Sequence, residues 1–145
     1  MRIAISGKMC SGKTSCYEYL EYKFKQAFML ENTIDDHLPL QKLSFGKPIK
    51  DMYNHMFNTL EKNRNAMQTI GDSFRSIDND VFANYLVRQC SDNKIYVVDD
   101  LRFKNEYDIL KKNGFITIRL VVDYDKLKTR YKTLYPNEDY NTFCD

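Results

Sequence analysis

Apolar and polar positions fall into blocks along the chain, and the period of each block assigns an element. Arg2-Ile3-Ala4-Ile5-Ser6 is short and apolar and reads as a buried strand. From residue 15 to about 30, Tyr17, Leu20, Phe24 and Ala27 recur at i, i+3, i+7 and i+10, the stripe of a helix lying on a sheet. Residues 31–39 are polar and turn-rich and read as a loop. Residues 41–45 are a second strand, which Gly46 breaks, and Pro48 suits the first turn of a helix showing Ile49, Met52, Tyr53, Met56 and Leu60. A charged connector over 61–65 leads to a short helical piece over 66–70, stopped near Gly71. Residues 80–89 read as a helix with Val81, Phe82, Tyr85 and Leu86 inward, and residues 91–93 as a turn. Ile95-Tyr96-Val97-Val98 is continuously apolar, the pattern of a parallel strand covered on both faces. A helix over 106–113 ends at Gly114, a strand follows over 115–122, and a cationic helix from 125 to about 134 ends at Pro136. Strands alternating with helices predict an α/β three-layer fold, a parallel sheet flanked by helices.

Composition narrows this picture modestly. The chain has 145 residues, enough for one domain with a core, and a net charge of +2. So small a charge gives no reason to expect nucleic acid or a membrane surface as partner. No apolar run is long enough to span a bilayer, and the N-terminus enters a strand at once, so no signal peptide is expected. Cys10, Cys16, Cys90 and Cys144 show no C-x-x-C pairing and read as free thiols of a cytoplasmic protein. His37 and His55 stand alone, so no zinc-type cluster is expected.

The chemistry enters with Gly7-Lys8-Met9-Cys10-Ser11-Gly12-Lys13-Thr14, which fits G-x-x-x-x-G-K-[ST] between a strand and a helix. Gly7 and Gly12 allow the loop to curl so that successive N–H groups point inward, and the helix start adds further donors and a partial positive charge. Residues 7–15, including Lys8, Met9, Cys10 and Ser15, would cradle the phosphates of ATP, with Lys13 on the outer phosphates and Thr14 on Mg²⁺. Asp99-Asp100 ends a hydrophobic strand, where a metal-side acid of such proteins sits, or where two carboxylates simply cap a turn.

Three further segments accompany this loop: Ser44-Phe45-Gly46-Lys47-Pro48-Ile49-Lys50, Met67-Gln68-Thr69-Ile70-Gly71-Asp72-Ser73-Phe74-Arg75, and Asp100-Leu101-Arg102-Phe103-Lys104-Asn105-Glu106. In this order, the four resemble the P-loop deoxynucleoside monophosphate kinases of phages and large DNA viruses, over roughly residues 1 to 130. The resemblance implies transfer of the ATP γ-phosphoryl group to a deoxynucleotide, with Mg²⁺. It implies donor phosphates and metal held by Ser11, Lys13 and Thr14, while the strand-end pair itself offers Asp99 as a metal-side acid. Lys50, Arg64 and Arg75 would face the acceptor phosphate, Gln68 its base, and Phe45 and Phe74 its base or sugar. Asp100 and Arg102 would lie between the nucleotides, Asp100 near the metal or the acceptor sugar, and Arg130 would be a lid arginine that neutralises charge in the transition state.

The same residues have plainer roles open to them. Arg64 can solvate a connector, Arg75 can pair with Asp72 or Asp78, Gln68 can be an ordinary helix residue, and Arg130 can complement a helix C-terminus. The resemblance also implies one domain, with an acceptor-binding helical region about 46–90 and a lid helix about 125–135. A further strand and a final helix of the family's pattern have no counterpart in these 145 residues. A homodimer could cover that gap. A composition rich in Lys, Asn and Tyr agrees with an AT-rich viral genome, and so with the cytoplasm of a host cell. Two other readings stand beside the kinase. One is a small P-loop kinase acting on dephospho-coenzyme A or phosphomevalonate; the other is a nucleotide-binding regulatory protein without turnover.

Overall fold

The structure, a computed structural model, describes residues 1–30, 40–61 and 63–137. Strand β1 (Arg2–Gly7) leads through a glycine loop into α1 (Lys13–Leu30). After β2 (Leu40–Leu43) come three helices in succession, α2 (Lys47–Phe57), α3 (Arg64–Ile77) and α4 (Val81–Arg88). Then β3 (Ile95–Leu101), α5 (Lys104–Lys112), β4 (Ile116–Leu120) and α6 (Tyr124–Leu134) complete the described chain.

All strand pairs are parallel, in the order β2-β3-β1-β4. Period-two alternation sorts neighbouring residues to opposite faces. Ile3, Ile5 and Val97 pack with Cys16, Tyr17 and Leu20 of α1. Ala4 and Val98 face the other way, toward Ile49 of α2, Phe82, Ala83 and Leu86 of α4, and Leu110 of α5. Helices therefore cover both faces of the sheet, which is why β3 is apolar without a break. A separate cluster sets buried Leu127 and Tyr131 of α6 against Met9 and Cys10 of the glycine loop.

This connectivity creates a crevice. The chain leaves β1 over α1 toward β2 and leaves β3 over α5 toward β4. The two connections depart in opposite directions from adjacent strands, so a gap opens beyond their carboxyl ends, where ligands of open parallel sheets bind.

Several expected elements differ. The piece expected over 66–70 belongs to a helix running from Arg64 to Ile77, straight through Gly71. Gly71 is not a stop but a point of close packing: a Cβ there would lie 3.1 Å from Ile49 Cδ1. The Asn63 side chain caps this helix by accepting from the Ala66 N–H at 3.0 Å. Helix α2 ends at Phe57 because Asn58 adopts a left-handed φ of 46°. Met56 and Leu60 are consequently exposed, Leu60 to 91 %. Tyr85 and Ala27, expected inward, are exposed as well. The expected loop over 31–39 lies outside the described residues, as do His37 and Cys144. No helix among the described residues is long and apolar enough to cross a membrane.

Candidate functional site

The glycine loop is a tight curl. Gly12 has φ +92° and Cys10 φ +63°, both left-handed. A Cβ on Gly7 would fall 2.5 Å from Ser11 Oγ and 2.9 Å from the Leu120 carbonyl oxygen, so β4 and the loop close on this residue. The Ser11 N–H donates back to the Lys8 carbonyl at 3.2 Å, and the Cys16 N–H to that of Gly12 at 2.9 Å. Lys13 folds over the curl, its ammonium donating to the carbonyls of Gly7 at 2.7 Å and Lys8 at 2.9 Å. Burial lowers the Lys13 pKa, and the charge of Arg102 lowers it further, against the pull of Asp99 and Asp100. Ser11 Oγ is buried and has no hydrogen-bond partner among the described residues. Thr14 and Ser15, at the start of α1, are exposed.

The loop forms one wall of an open cleft of about 1700 Å³, continued by residues 101–104, the end of β4 and helix α6. Among the described residues, six cationic side chains line it, Lys8, Lys13, Arg102, Lys104, Arg119 and Arg130, and no Asp or Glu does. Arg130 donates to the Cys10 carbonyl at 3.3 Å, tying α6 to the loop. Arg102 sits on a turn clamped by Glu106, whose Oε2 accepts the N–H groups of Arg102 at 3.1 Å and Phe103 at 3.0 Å. Glu106 is 3 % exposed, and burial raises its pKa despite those two bonds.

The two strand-end acids diverge. Asp99 pairs with Lys42 at 2.6 Å, and that ammonium also lies 4.5 Å from the Tyr17 ring centroid. Asp100 turns to the other face. It accepts the Ser44 hydroxyl at 2.6 Å and the N–H groups of Phe45 and Gly46, each at 3.1 Å. Among the described residues, no cluster of three or more His, Cys, Asp or Glu side chains is arranged to hold a metal.

The structure thus gathers residues 7–15, Arg102 and Arg130 around one space. It does not bring Phe45, Lys50, Arg64, Gln68, Phe74 or Arg75 to that cleft, nor Asp99 and Asp100. Phe45 lies in the core, 5 % exposed. Lys50 and Gln68 are exposed, and the Arg64 guanidinium lies 5.5 Å from the Tyr135 ring centroid. Phe74 stacks obliquely on Phe82, with centroids 6.1 Å apart. Arg75 lies between the rings of Phe82 and Phe103, at 5.1 and 4.8 Å, and pairs with Asp72 at 3.2 Å, one of the plainer roles open to it.

Sequence reasoning passed over Arg119, Lys104 and Glu106 as functional residues. Arg119 had a legible signal, a lone cation in a largely apolar strand, one residue before its end. Glu106 closes one of the segments that carry the resemblance, but a buried turn clamp and a solvated helix residue look alike in sequence, so its role was not legible. Compared with known proteins, the chain matches no family model and no curated sequence.

Proposed function

We propose that this chain is a P-loop phosphotransferase of the nucleoside monophosphate kinase type, transferring the γ-phosphoryl group of ATP to a deoxynucleoside monophosphate. One observation carries the reading: a left-handed glycine curl crossed by the Lys13 ammonium opens into a cleft to which the described residues bring six cations and no carboxylate. Such a space selects a polyanion, and the curl offers it the donors of a helix start.

The residues fit the groups this reaction needs. Gly7 leaves no room for a side chain beside Ser11, and the buried Ser11 hydroxyl is an unspent polar group in the cleft wall. The Thr14 hydroxyl lines the cleft and is a hard oxygen donor, the kind Mg²⁺ takes; Asp99 is another such donor, paired with Lys42 outside the cleft lining. When bound, Mg²⁺ supplies charge neutralisation across the phosphates. Lys13 holds the outer phosphate charge, with Lys8, Met9, Cys10, Gly12 and Ser15 completing the cradle. Arg102 and Arg130 add fixed positive charge where negative charge develops, an arrangement that needs little reorganisation. The tie from Arg130 to Cys10 keeps α6 closed on the loop.

On the acceptor side, the reading gives phosphate contacts to Lys50, Arg64 and Arg75, base contacts to Gln68 and Phe74, and a supporting core position to Phe45. None of these six lines the cleft. That observation favours a second reading, in which the same donor site serves a different small-molecule acceptor, of the dephospho-coenzyme A or phosphomevalonate type.

The test is ADP release from ATP·Mg²⁺ against dAMP, dGMP, dCMP, dTMP and the ribonucleotides, with Lys13→Ala as control. Lys13-dependent turnover with a deoxynucleotide is the expected result. ATP binding with no turnover across the panel would overturn the monophosphate-kinase reading in favour of another acceptor or a binding protein.

A further inference from the structure

Asp100 stands beside the cleft with the residue pattern of a catalytic acid, yet its oxygens are already spoken for. Oδ2 takes the Ser44 hydroxyl at 2.6 Å and the Gly46 N–H at 3.1 Å, while Oδ1 takes the Phe45 N–H at 3.1 Å. A carboxylate has about four acceptor positions, and three are filled by one turn. These are charge-assisted bonds, the stronger kind.

That turn begins where β2 ends beside β3, with Leu43 in register with Val98. It finishes at Gly46, the N-cap of α2, which has no side chain to cap the helix. Asp100 supplies from the neighbouring strand the negative group that this helix start lacks. Helix α2 is then seated by Ile49 and Tyr53, both buried, so the position of its first turn fixes the register of the whole helix, Lys50 included.

We propose that Asp100 is a positioning residue: its carboxylate straps the Ser44-Phe45-Gly46 turn to β3 and thereby sets where α2 presents its side chains to the acceptor. The proposal rests on the phosphotransferase reading for its kinetic readout. Asp100 then acts through α2, and Asp99, on the opposite face, is the strand-end acid left for the donor side.

The experiment is a double-mutant cycle of Asp100→Asn and Ser44→Ala, read in two ways. Kinetically, each substitution raises the KM for the accepted nucleotide about tenfold, the scale of one charge-assisted bond. The double variant is no worse than Asp100→Asn, and the KM for ATP and the Mg²⁺ requirement stay at wild-type values. A changed Mg²⁺ requirement in Asp100→Asn with Ser44→Ala silent would overturn the proposal, making Asp100 a direct ligand. So would an unaltered acceptor KM in both folded variants, making the turn merely structural. Thermal unfolding separates this from a failure of the kinase reading. If wild type shows no turnover with any acceptor, non-additive midpoint shifts still uphold the strap, and additive shifts overturn it.

Discussion

At the residue scale, two glycines with the same absent side chain lead to opposite expectations. A Cβ on Gly7 meets Ser11 Oγ at 2.5 Å and the Leu120 carbonyl oxygen at 2.9 Å, and the second of these is backbone that cannot swing aside. Gly7→Ala should therefore open the curl and weaken ATP binding at least tenfold, measurable by titration calorimetry. Gly46 has φ −78°, and a Cβ there would sit 3.8 Å from its nearest neighbours, ordinary contact. Gly46→Ala should keep wild-type nucleotide binding and change stability by no more than about 1 kcal/mol, with reduced unfolded-chain entropy acting in its favour. Wild-type ATP affinity in Gly7→Ala would show that the curl is not the donor site. Lys13 bonds two carbonyls of the curl, but its charge is what the reaction uses, so its loss should cost chemistry above all. Lys13→Ala removes one preorganised charge, for which a fall in kcat of about two to three orders of magnitude is expected in the ADP-release assay. Near wild-type turnover would refute its assignment.

At the scale of elements, Glu106 shows how a buried carboxylate can hold a turn and still strain against its charge. One oxygen, Oε2, accepts both the Arg102 and the Phe103 N–H groups. In Glu106→Gln a single amide oxygen can keep both bonds while the buried charge disappears, so stability at neutral pH should hold or rise. Glu106→Ala leaves two part-buried N–H donors without this partner, at up to about 1–3 kcal/mol each. The pH dependence has a definite sign. The folded pKa lies above the ordinary value of 4.5, so the folded state holds the extra proton. The Glu106 contribution is thus most favourable below that value, is lost as pH rises through the raised folded pKa, and stays constant above it. Wild type should lose stability relative to Glu106→Gln across that window, as followed by urea unfolding; a gain would refute it. The same contrast between local pattern and tertiary demand explains which elements were legible. β1, β3 and the glycine loop could be read because continuous apolarity and the G-x-x-x-x-G-K-[ST] spacing are local properties. The passage of α3 through Gly71 could not, because its reason, the approach of Ile49, comes from another helix. Phe45 has a base or sugar contact only through the family resemblance, and the closure of α2 and α4 over β3 puts it in the core instead.

At the scale of the whole molecule, the balance of charge differs from its placement. Net charge is only +2 over 145 residues, yet among the described residues six cations line the cleft and no acid does. Attraction for a polyanion is therefore local to the carboxyl ends of β1, β3 and β4, where the chain's opposed crossovers leave the sheet open. This explains why composition pointed to no anionic partner while the motif did, and it sets an observable for the assembled molecule. A ligand that binds only the folded state at about 100 times its Kd stabilises by about 2.7 kcal/mol. For a chain of this size that corresponds to a rise in Tm on the order of 5–10 °C. ATP·Mg²⁺ should give such a shift in wild type and little or none in Lys13→Ala. At fixed ATP the shift should shrink as salt rises from about 0.1 M to 1 M, since screening then acts within about 3 Å. Adenosine, which has the base and sugar without the phosphates, should give little shift at any salt. An equal shift from adenosine and ATP would place the binding energy in the base rather than in the cationic wall, and would remove the cleft's charge from the account of what this protein recognises.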